Sequence, residues 1–145
     1  MSSPRLRRYR QSQVGRIYVL TTVVHGRRRL FEHARNAEIV IDALRHVERT
    51  GRSYTLAWVI MPDHVHWLME LRQGTLASCM NVFKSISSRK LQTGQVWQKG
   101  YHDHAIRRDE SVEHAARYII GNPLRAGLSE RVGEYPYAWC RWDIT

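Results

Sequence analysis

Two histidines separated by one residue are the part of this chain best suited to chemistry. His64 and His66 lie within the apolar segment 60–71. Because successive strand side chains alternate between faces, the two imidazoles would share one face and the apolar residues between them would fill the other. Such a pair can share a divalent metal ion. Imidazole alone suits zinc, iron, nickel or copper, whereas added oxygen ligands favour manganese or magnesium. A pair of structural histidines is the competing interpretation.

A tyrosine on a predicted helix is the second candidate. The helix begins near Ser111 and runs toward Gly121, and a spacing of four residues would place His114, Tyr118 and Asn122 on one face. A tyrosine near a metal-bound phosphate could attack it, because the metal and nearby arginines would offset the charge that develops on phosphorus. The alternative is an ordinary tyrosine at the border of an amphipathic helix.

Two further groups have more than one interpretation. Asn122 precedes Pro123, so spacing alone favours the N-cap of a new short helix over a metal ligand. His102 and His104 share a face of a predicted strand, and we expect a DNA contact or a supporting role for them. Asp103, which lies between them, is a candidate for orienting a metal-ligating histidine.

The charge balance points to a polyanionic partner. The chain of 145 residues has 23 basic and 13 acidic residues and a formal net charge of +10. Lys84, Lys90 and Lys99 are the only lysines, so the other 20 basic side chains are arginines, which bind phosphate in a bidentate manner and stack on bases. A codon bias could explain arginine over lysine but not the net charge. Nucleic acid is therefore the expected partner.

The composition argues against several classes of protein. No apolar run approaches the ~20 residues of a membrane span, and no apolar segment follows the basic N-terminus as it would in a secretory signal. We therefore expect no membrane partner and a cytoplasmic, nucleoid-associated protein. Cys79 and Cys140 match no metal-binding spacing and are expected to be reduced packing residues. The sequence contains no Walker loop and no Gly-x-Ser-x-Gly elbow.

The hydrophobic pattern predicts the elements that must position these residues. We expect one domain over residues 1–145, of which 1–13 form a flexible basic arm. Strands are predicted at 16–24, 54–61, 64–71 and, irregularly, 96–107, with Pro62 and Asp63 turning the middle two into an antiparallel hairpin. Helices are predicted from a cap at Asn36, from a cap at Thr75 and over 111–121. This order favours an α+β fold, with helices packed on an antiparallel β-sheet of ferredoxin-like type.

Three motifs taken together resemble the REP-associated tyrosine transposases, bacterial single-tyrosine members of the HUH (His-hydrophobic-His) endonuclease and transposase group. In chain order they are Met61-Pro62-Asp63-His64-Val65-His66, Trp97-Gln98-Lys99-Gly100-Tyr101-His102-Asp103-His104 and Tyr118-Ile119-Ile120-Gly121-Asn122-Pro123-Leu124-Arg125-Ala126-Gly127-Leu128. The similarity covers most of the chain, from the strand at residue 16 to residues 134–136. His-Val-His alone is a weak signal, whereas the ordered combination is specific.

The resemblance implies the HUH endonuclease fold, a sheet that bears the two histidines and is faced by a helix with a nucleophilic tyrosine. It implies that His64 and His66 bind Mg²⁺ or Mn²⁺, with Asn122 as third ligand instead of the cap that spacing favours. Tyr118 would attack a phosphate of single-stranded DNA, form a 5′-phosphotyrosine intermediate and release a 3′ hydroxyl during transposition, a form of DNA recombination. The implied substrates are hairpins of repetitive extragenic palindromes (REP), each with a short tetranucleotide on its 5′ side.

The DNA would be held by arginines of the arm, of a basic turn and of the end of the fourth strand. These candidates are Arg5, Arg7, Arg8, Arg10, Arg27, Arg28, Arg29, Arg107 and Arg108. We favour a monomer over a dimer. The alternative function is that of a non-catalytic regulatory protein that has the same fold and binds DNA or RNA hairpins.

Overall fold

The computed structural model describes residues 12–143, which build one antiparallel sheet with helices on both faces. The strands have the spatial order β4-β1-β3-β2-β5. Their bounds are β1 Ile17–Val23, β2 Ser53–Met61, β3 His64–Leu71, β4 His102–Ala105 and β5 Ala138–Cys140. The helices are α1 Ala34–Arg49, α2 Leu76–Leu91, α3 Val112–Ile120 and the short α4 Asn122–Arg125.

A tight hairpin lies at the centre of the sheet and positions the two histidines. Pro62 and Asp63 form the turn between β2 and β3, so that Met61 pairs with His64 and Val59 pairs with His66. Strand β3 also pairs with β1, from His64 to Glu70. Because both neighbours hydrogen-bond to β3, the backbone that bears the histidines is fixed on both sides.

One face of the sheet holds a core built around aromatic rings, covered by α1 and α2. Trp67 of β3 packs on Phe83 of α2 with ring centroids 5.8 Å apart, and Phe83 in turn packs on Trp97 at 5.5 Å. The two indole N–H groups are also bonded, Trp67 Nε1 to Thr55 Oγ1 at 3.1 Å and Trp97 Nε1 to Ser87 Oγ at 2.9 Å. This face is therefore closed to solvent and leaves neither indole donor unpaired.

The other face has a smaller core beneath α3. Ala116 and Ile119 of this helix pack with Leu68 of β3 and Val59 of β2. Ser111 caps the helix, its Oγ accepting a hydrogen bond from His114 N at 3.1 Å. Since Leu68 alternates with Trp67, the residues of β3 divide between the two cores as period-2 alternation requires. The histidines lie on the α3 side.

The structure confirms the predicted α+β class and the antiparallel sheet with packed helices. Four strands and two helices in the order β1-α1-β2-β3-α2-β4 form the ferredoxin-like unit. The predicted helix at 111–121 and the cap at Thr75, whose Oγ1 accepts from Ser78 N, are also present. No helix within the described range 12–143 is long and apolar enough to cross a membrane.

Two predictions about the elements were wrong in detail, and one strand was not predicted. Asn36 is not a cap, because α1 begins at Ala34 and the Asn36 amide donates instead to Leu30 O at 2.8 Å. The fourth strand is shorter than predicted, since regular pairing covers only β4 and residue 97 makes an isolated bridge. Strand β5 was missed because its three residues have no visible alternation and depend on pairing with β2.

Part of the predicted basic arm lies outside the described residues, including Arg5, Arg7, Arg8 and Arg10. The two described residues of that arm contact the domain. Ser12 Oγ accepts a hydrogen bond from Leu76 N at 3.2 Å, and Gln13 N donates to Tyr18 Oη at 2.8 Å. The first bond connects the chain before β1 to the start of α2, and the second connects it to β1 itself.

Candidate active site

The two histidines of β3 point to the same face, as the sequence predicts. Their ring centroids are 4.8 Å apart and their planes are nearly perpendicular, at 83°. Both side chains are half-buried. The pairing register extends this row across the sheet, with His66 between Val59 of β2 and Thr21 of β1, and His102 beyond Thr21.

Each imidazole is oriented by a hydrogen bond at its Nδ1 atom. His64 Nδ1 lies 2.7 Å from Asp63 Oδ1, and since a carboxylate can only accept, the imidazole donates. His66 Nδ1 lies 2.9 Å from Thr21 Oγ1. The Thr21 hydroxyl can accept from Nδ1 or donate to it; when it accepts, both rings carry their proton on Nδ1 and both Nε2 lone pairs are available to a cation. This is the arrangement by which outer partners orient metal-ligating histidines.

The electrostatics at His66 favour a neutral imidazole that can act as a ligand. Burial, the neighbouring His64 and Arg125 together lower the pKa of His66 to about 4. Although burial raises the pKa of Asp63, its hydrogen bond to His64 and the Arg27 guanidinium at 3.3 Å bring it below its ordinary value. His66 is therefore uncharged and Asp63 ionised near neutral pH.

Asn122 is the first residue of α4 and makes no cap hydrogen bond. Its Nδ2 donates to Ile119 O at 3.2 Å, which leaves Oδ1 as an acceptor. The cap that spacing favours is therefore not formed. If this amide oxygen joins the two imidazole nitrogens, the mixed donor set would suit Mn²⁺ or Mg²⁺ better than three imidazoles would.

Tyr118 lies on the exposed edge of α3, with 61% of its surface accessible. The guanidinium of Arg125, from α4, stacks over its ring at 3.9 Å from the centroid. The same guanidinium influences His66, so Arg125 lies within electrostatic range of the histidine pair while it contacts the tyrosine. This contact relates the predicted nucleophile to the predicted metal site, and the sequence pattern did not indicate it.

A cavity of about 370 Å³ borders Tyr118 on the side of β4. It is lined by His114 and Tyr118 of α3 and by His104 and Glu110, which are joined at 3.1 Å. Hydrogen bonds from Arg107 N and His104 lower the pKa of Glu110. The tyrosine therefore borders a largely apolar recess with a few polar side chains, on the same face of the sheet as the histidines.

The structure places Asp103 on the wrong face to orient a metal ligand. Asp103 pairs with Leu20, whose neighbour in β3 is Trp67, so its side chain belongs to the side covered by α1 and α2. There it lines a cavity of about 520 Å³ with Met80 and Lys84 of α2. The orienting carboxylate is Asp63 instead.

The candidate DNA-binding arginines differ in how much they are engaged within the protein. Arg28 donates to the carbonyl oxygens of His25, Thr93 and Gln95 and so ties two loops together. The other described candidates form ion pairs at the surface or are simply exposed. Arg27 pairs with Asp63, Arg29 with Glu32, and Arg107 with Asp109 and Glu110, while Arg108 is exposed.

Sequence reasoning missed Thr21, Asp63 and Arg125 as residues of the site. Asp63 had a local signal, because it directly precedes His64 in a turn. No local signal indicated Thr21, because it lies 45 residues from His66 in sequence and contacts it only through the register between β1 and β3. Arg125 depends on the path of the chain after α3.

The chain matches the family model described as "Transposase IS200 like" over residues 12–122. It is 28% identical over 90 residues to a REP-associated tyrosine transposase of Escherichia coli, an alignment that covers 61% of this chain and 54% of that protein. A candidate REP-associated tyrosine transposase of Haemophilus influenzae is 28% identical over 106 residues, with 62% and 60% covered. The chain thus spans between half and two thirds of the length of these relatives.

A solved structure of a REP-associated tyrosine transposase bound to a REP hairpin has a similar fold. The TM-score is 0.79 at 24% sequence identity, and the match covers 89% of this chain and 79% of that one. The resemblance drawn from the three sequence motifs is confirmed by these similarities.

Proposed function

Because the chain belongs to the IS200-like transposase family, we propose that it is a metal-dependent endonuclease and strand transferase that acts on single-stranded DNA hairpins. One observation carries this proposal. Two histidines with bonded Nδ1 atoms lie on the sheet face that is covered by the helix of an exposed tyrosine. A structural histidine pair would not need both rings oriented toward a face left partly open.

His64 and His66, through their Nε2 atoms, and Asn122, through Oδ1, would hold the divalent cation. When bound, Mg²⁺ or Mn²⁺ would withdraw charge from a phosphate oxygen and so make phosphorus more electrophilic. Asp63 and Thr21 keep the two rings in the orientation that this requires. Arg27 adds a positive charge next to Asp63.

Tyr118 is the proposed nucleophile. Its Oη attacks phosphorus and loses its proton, the bond between phosphorus and the 3′ oxygen breaks, and that oxygen leaves as a 3′ hydroxyl after taking a proton. The product is a 5′-phosphotyrosine link, whose reversal by another 3′ hydroxyl joins a new strand. The exposure of Tyr118 supports this role, because a buried phenol could not reach a phosphate on a DNA strand.

The proposed substrates are hairpins of repetitive extragenic palindromes. The similar solved structure holds a REP hairpin, and this chain has a net charge of +10 to balance phosphates. Arg27, Arg29, Arg107 and Arg108 are exposed on the described part of the chain and are the stronger candidates for phosphate contacts. We propose that Arg28, which holds loop carbonyls, supports the fold rather than the DNA.

A denaturing gel of the protein with labelled single-stranded hairpin DNA and Mn²⁺ tests the proposal. We expect a protein–DNA band that resists denaturant and is abolished by EDTA and by Tyr118→Phe. Tyr101→Phe is the matched control, because Tyr101 lines the cavity on the opposite face with Met80 and should not affect the band. A band that persists in Tyr118→Phe would exclude Tyr118 as nucleophile.

The same gel separates the enzyme from a hairpin-binding protein without turnover. Tight binding with no adduct and no nick, across several palindromes and both metals, would support the binding protein. Competition between DNA and RNA hairpins of one sequence then decides the preferred nucleic acid, since only RNA offers the 2′ hydroxyl.

A further inference from the structure

We propose that Arg125 is a positioning residue for Tyr118: it clamps the phenol ring and places a fixed positive charge beside it. This inference rests on the proposed role of Tyr118 as nucleophile. Its basis is that the guanidinium of Arg125 contacts Tyr118 twice, at the ring and at the backbone carbonyl. The guanidinium carbon lies 3.9 Å from the centre of the Tyr118 ring, and Nη2 donates to the Tyr118 carbonyl oxygen.

The clamp matters because Tyr118 has little other support. With 61% of its surface exposed, its ring is not held by a surrounding core. An exposed side chain exchanges between rotamers within nanoseconds, whereas attack on phosphorus needs the nucleophile at a fixed distance and angle. A guanidinium stacked on the ring is worth about 0.5–1 kcal/mol at an exposed site, enough to favour one rotamer.

A glycine provides the space that the guanidinium occupies. A Cβ placed on Gly121 would lie 2.8 Å from Arg125 Nη1, which is closer than a real contact allows. The φ angle of Gly121 is −81°, so its backbone conformation does not itself require glycine. The nearest atom is the end of the Arg125 side chain, so a methyl group at this position would displace the guanidinium.

The break between α3 and α4 brings Arg125 back toward the tyrosine. The chain keeps helical angles at Gly121, and Pro123 follows within the first turn of α4. Arg117, although adjacent to Tyr118 in sequence, pairs instead with Glu113 at 3.1 Å. Two arginines near the tyrosine therefore have different roles, and Arg117 provides a matched control for Arg125.

The charge of Arg125 also suits the reaction. The guanidinium lies 3.9 Å from the centre of the phenol ring that is proposed to attack the phosphate. A positive charge there offsets the negative charge that develops when the phenol loses its proton and attacks. Arginine is suited to this role because its planar cation stays charged and can stack and donate hydrogen bonds at once.

The kinetic test compares Arg125→Ala, Arg125→Lys and Arg117→Ala in single-turnover formation of the covalent adduct. At saturating hairpin DNA we expect Arg125→Ala to slow adduct formation about tenfold to a hundredfold, with a much smaller change in Kd. Arg125→Lys should recover part of the rate, since it restores charge without the planar stack. Equal rates for Arg125→Ala and Arg117→Ala would overturn the inference.

A second measurement does not depend on activity. In protein labelled with ¹³C-tyrosine, the ring resonance of Tyr118 is identified by its loss in Tyr118→Phe. We expect Arg125→Ala and Gly121→Ala both to shift that resonance, and Arg117→Ala to leave it in place. An unchanged Tyr118 resonance in Arg125→Ala would refute the clamp. If the wild type forms no adduct while the shift is seen, the proposed function fails and the clamp stands.

Discussion

The two faces of the sheet differ in how completely they are closed. One face is covered by the 16-residue helices α1 and α2 and contains Phe83 packed against both Trp67 and Trp97. The other is covered by the nine-residue α3 and leaves both histidines half-buried and Tyr118 largely exposed. The first face supplies most of the buried apolar surface, and the second keeps its polar groups within reach of solvent.

This difference shows how one strand serves stability and chemistry together. Residues of β3 alternate between the two sides, so Trp67 is anchored by packing while His66, its neighbour, projects to the open side. A close-packed core tolerates little displacement. Packing on the closed face therefore fixes the β3 backbone from which the histidines project on the other face. Substitutions on the two faces should therefore have separable effects on stability and on activity.

Loss of a histidine should have the largest effect, and only on activity. His66→Ala removes a proposed ligand, so adduct formation with Mn²⁺ should fall by more than the ~10–100-fold typical of losing an outer partner. The free energy of unfolding should change little, because the imidazole lies on the partly open face. Unchanged metal-dependent nicking in this variant, measured on the denaturing gel, would rule out the metal site.

Loss of an aromatic ring on the closed face should act on stability. Trp67→Ala opens a cavity in a core where Trp67 is 1% exposed, and should lower the free energy of unfolding by about 3–5 kcal/mol. Urea denaturation measures this change. Leu128→Ala, at a site 39% exposed, is the control and should stay within about 0.5 kcal/mol of the wild type. Equal effects of the two substitutions would contradict the division between the faces.

Loss of the hydroxyl that orients His66 should weaken metal binding without disturbing the packing on either face of the sheet. Thr21→Val keeps the shape of the side chain but cannot bond His66 Nδ1, so the affinity for Mn²⁺ should fall about 10–100-fold. Calorimetric titration of the protein with Mn²⁺ measures it. Thr21→Ser should restore most of the affinity. If Val and Ser variants bind Mn²⁺ equally, the hydroxyl does not orient the ligand.

Loss of a single arginine should have the smallest effect. The kind of effect should distinguish an arginine that binds DNA from one that bonds to loop carbonyls. Arg108→Ala should reduce the slope of log affinity against log salt concentration by about one for a phosphate contact. Arg28→Ala should leave that slope unchanged and instead lower stability by about 1 kcal/mol, since it removes bonds to backbone carbonyls. Hairpin binding across a salt series, with thermal unfolding of both variants, compares them. A reduced slope for Arg28→Ala would reverse the assignment.

The sequence by itself determined those features that depend on neighbours along the chain. The common face of His64 and His66 follows from strand alternation, and the caps at Thr75 and Ser111 follow from side chains that bond the backbone three residues ahead. The hairpin at Pro62 and Asp63 is likewise local. Asn36 shows the limit of local signals, because a helix can begin two residues earlier than its best cap.

Only the tertiary structure decided which distant residues meet. Thr21 reaches His66 through strand register, Asp103 is turned away from the histidines by its pairing with Leu20, and Arg125 reaches Tyr118 through the break after α3. A shift of one residue in the register of β1 or β4 would move its side chains to the other face, and no tight turn like the one between β2 and β3 fixes that register. It is set when the two cores pack, which is a property of the whole fold.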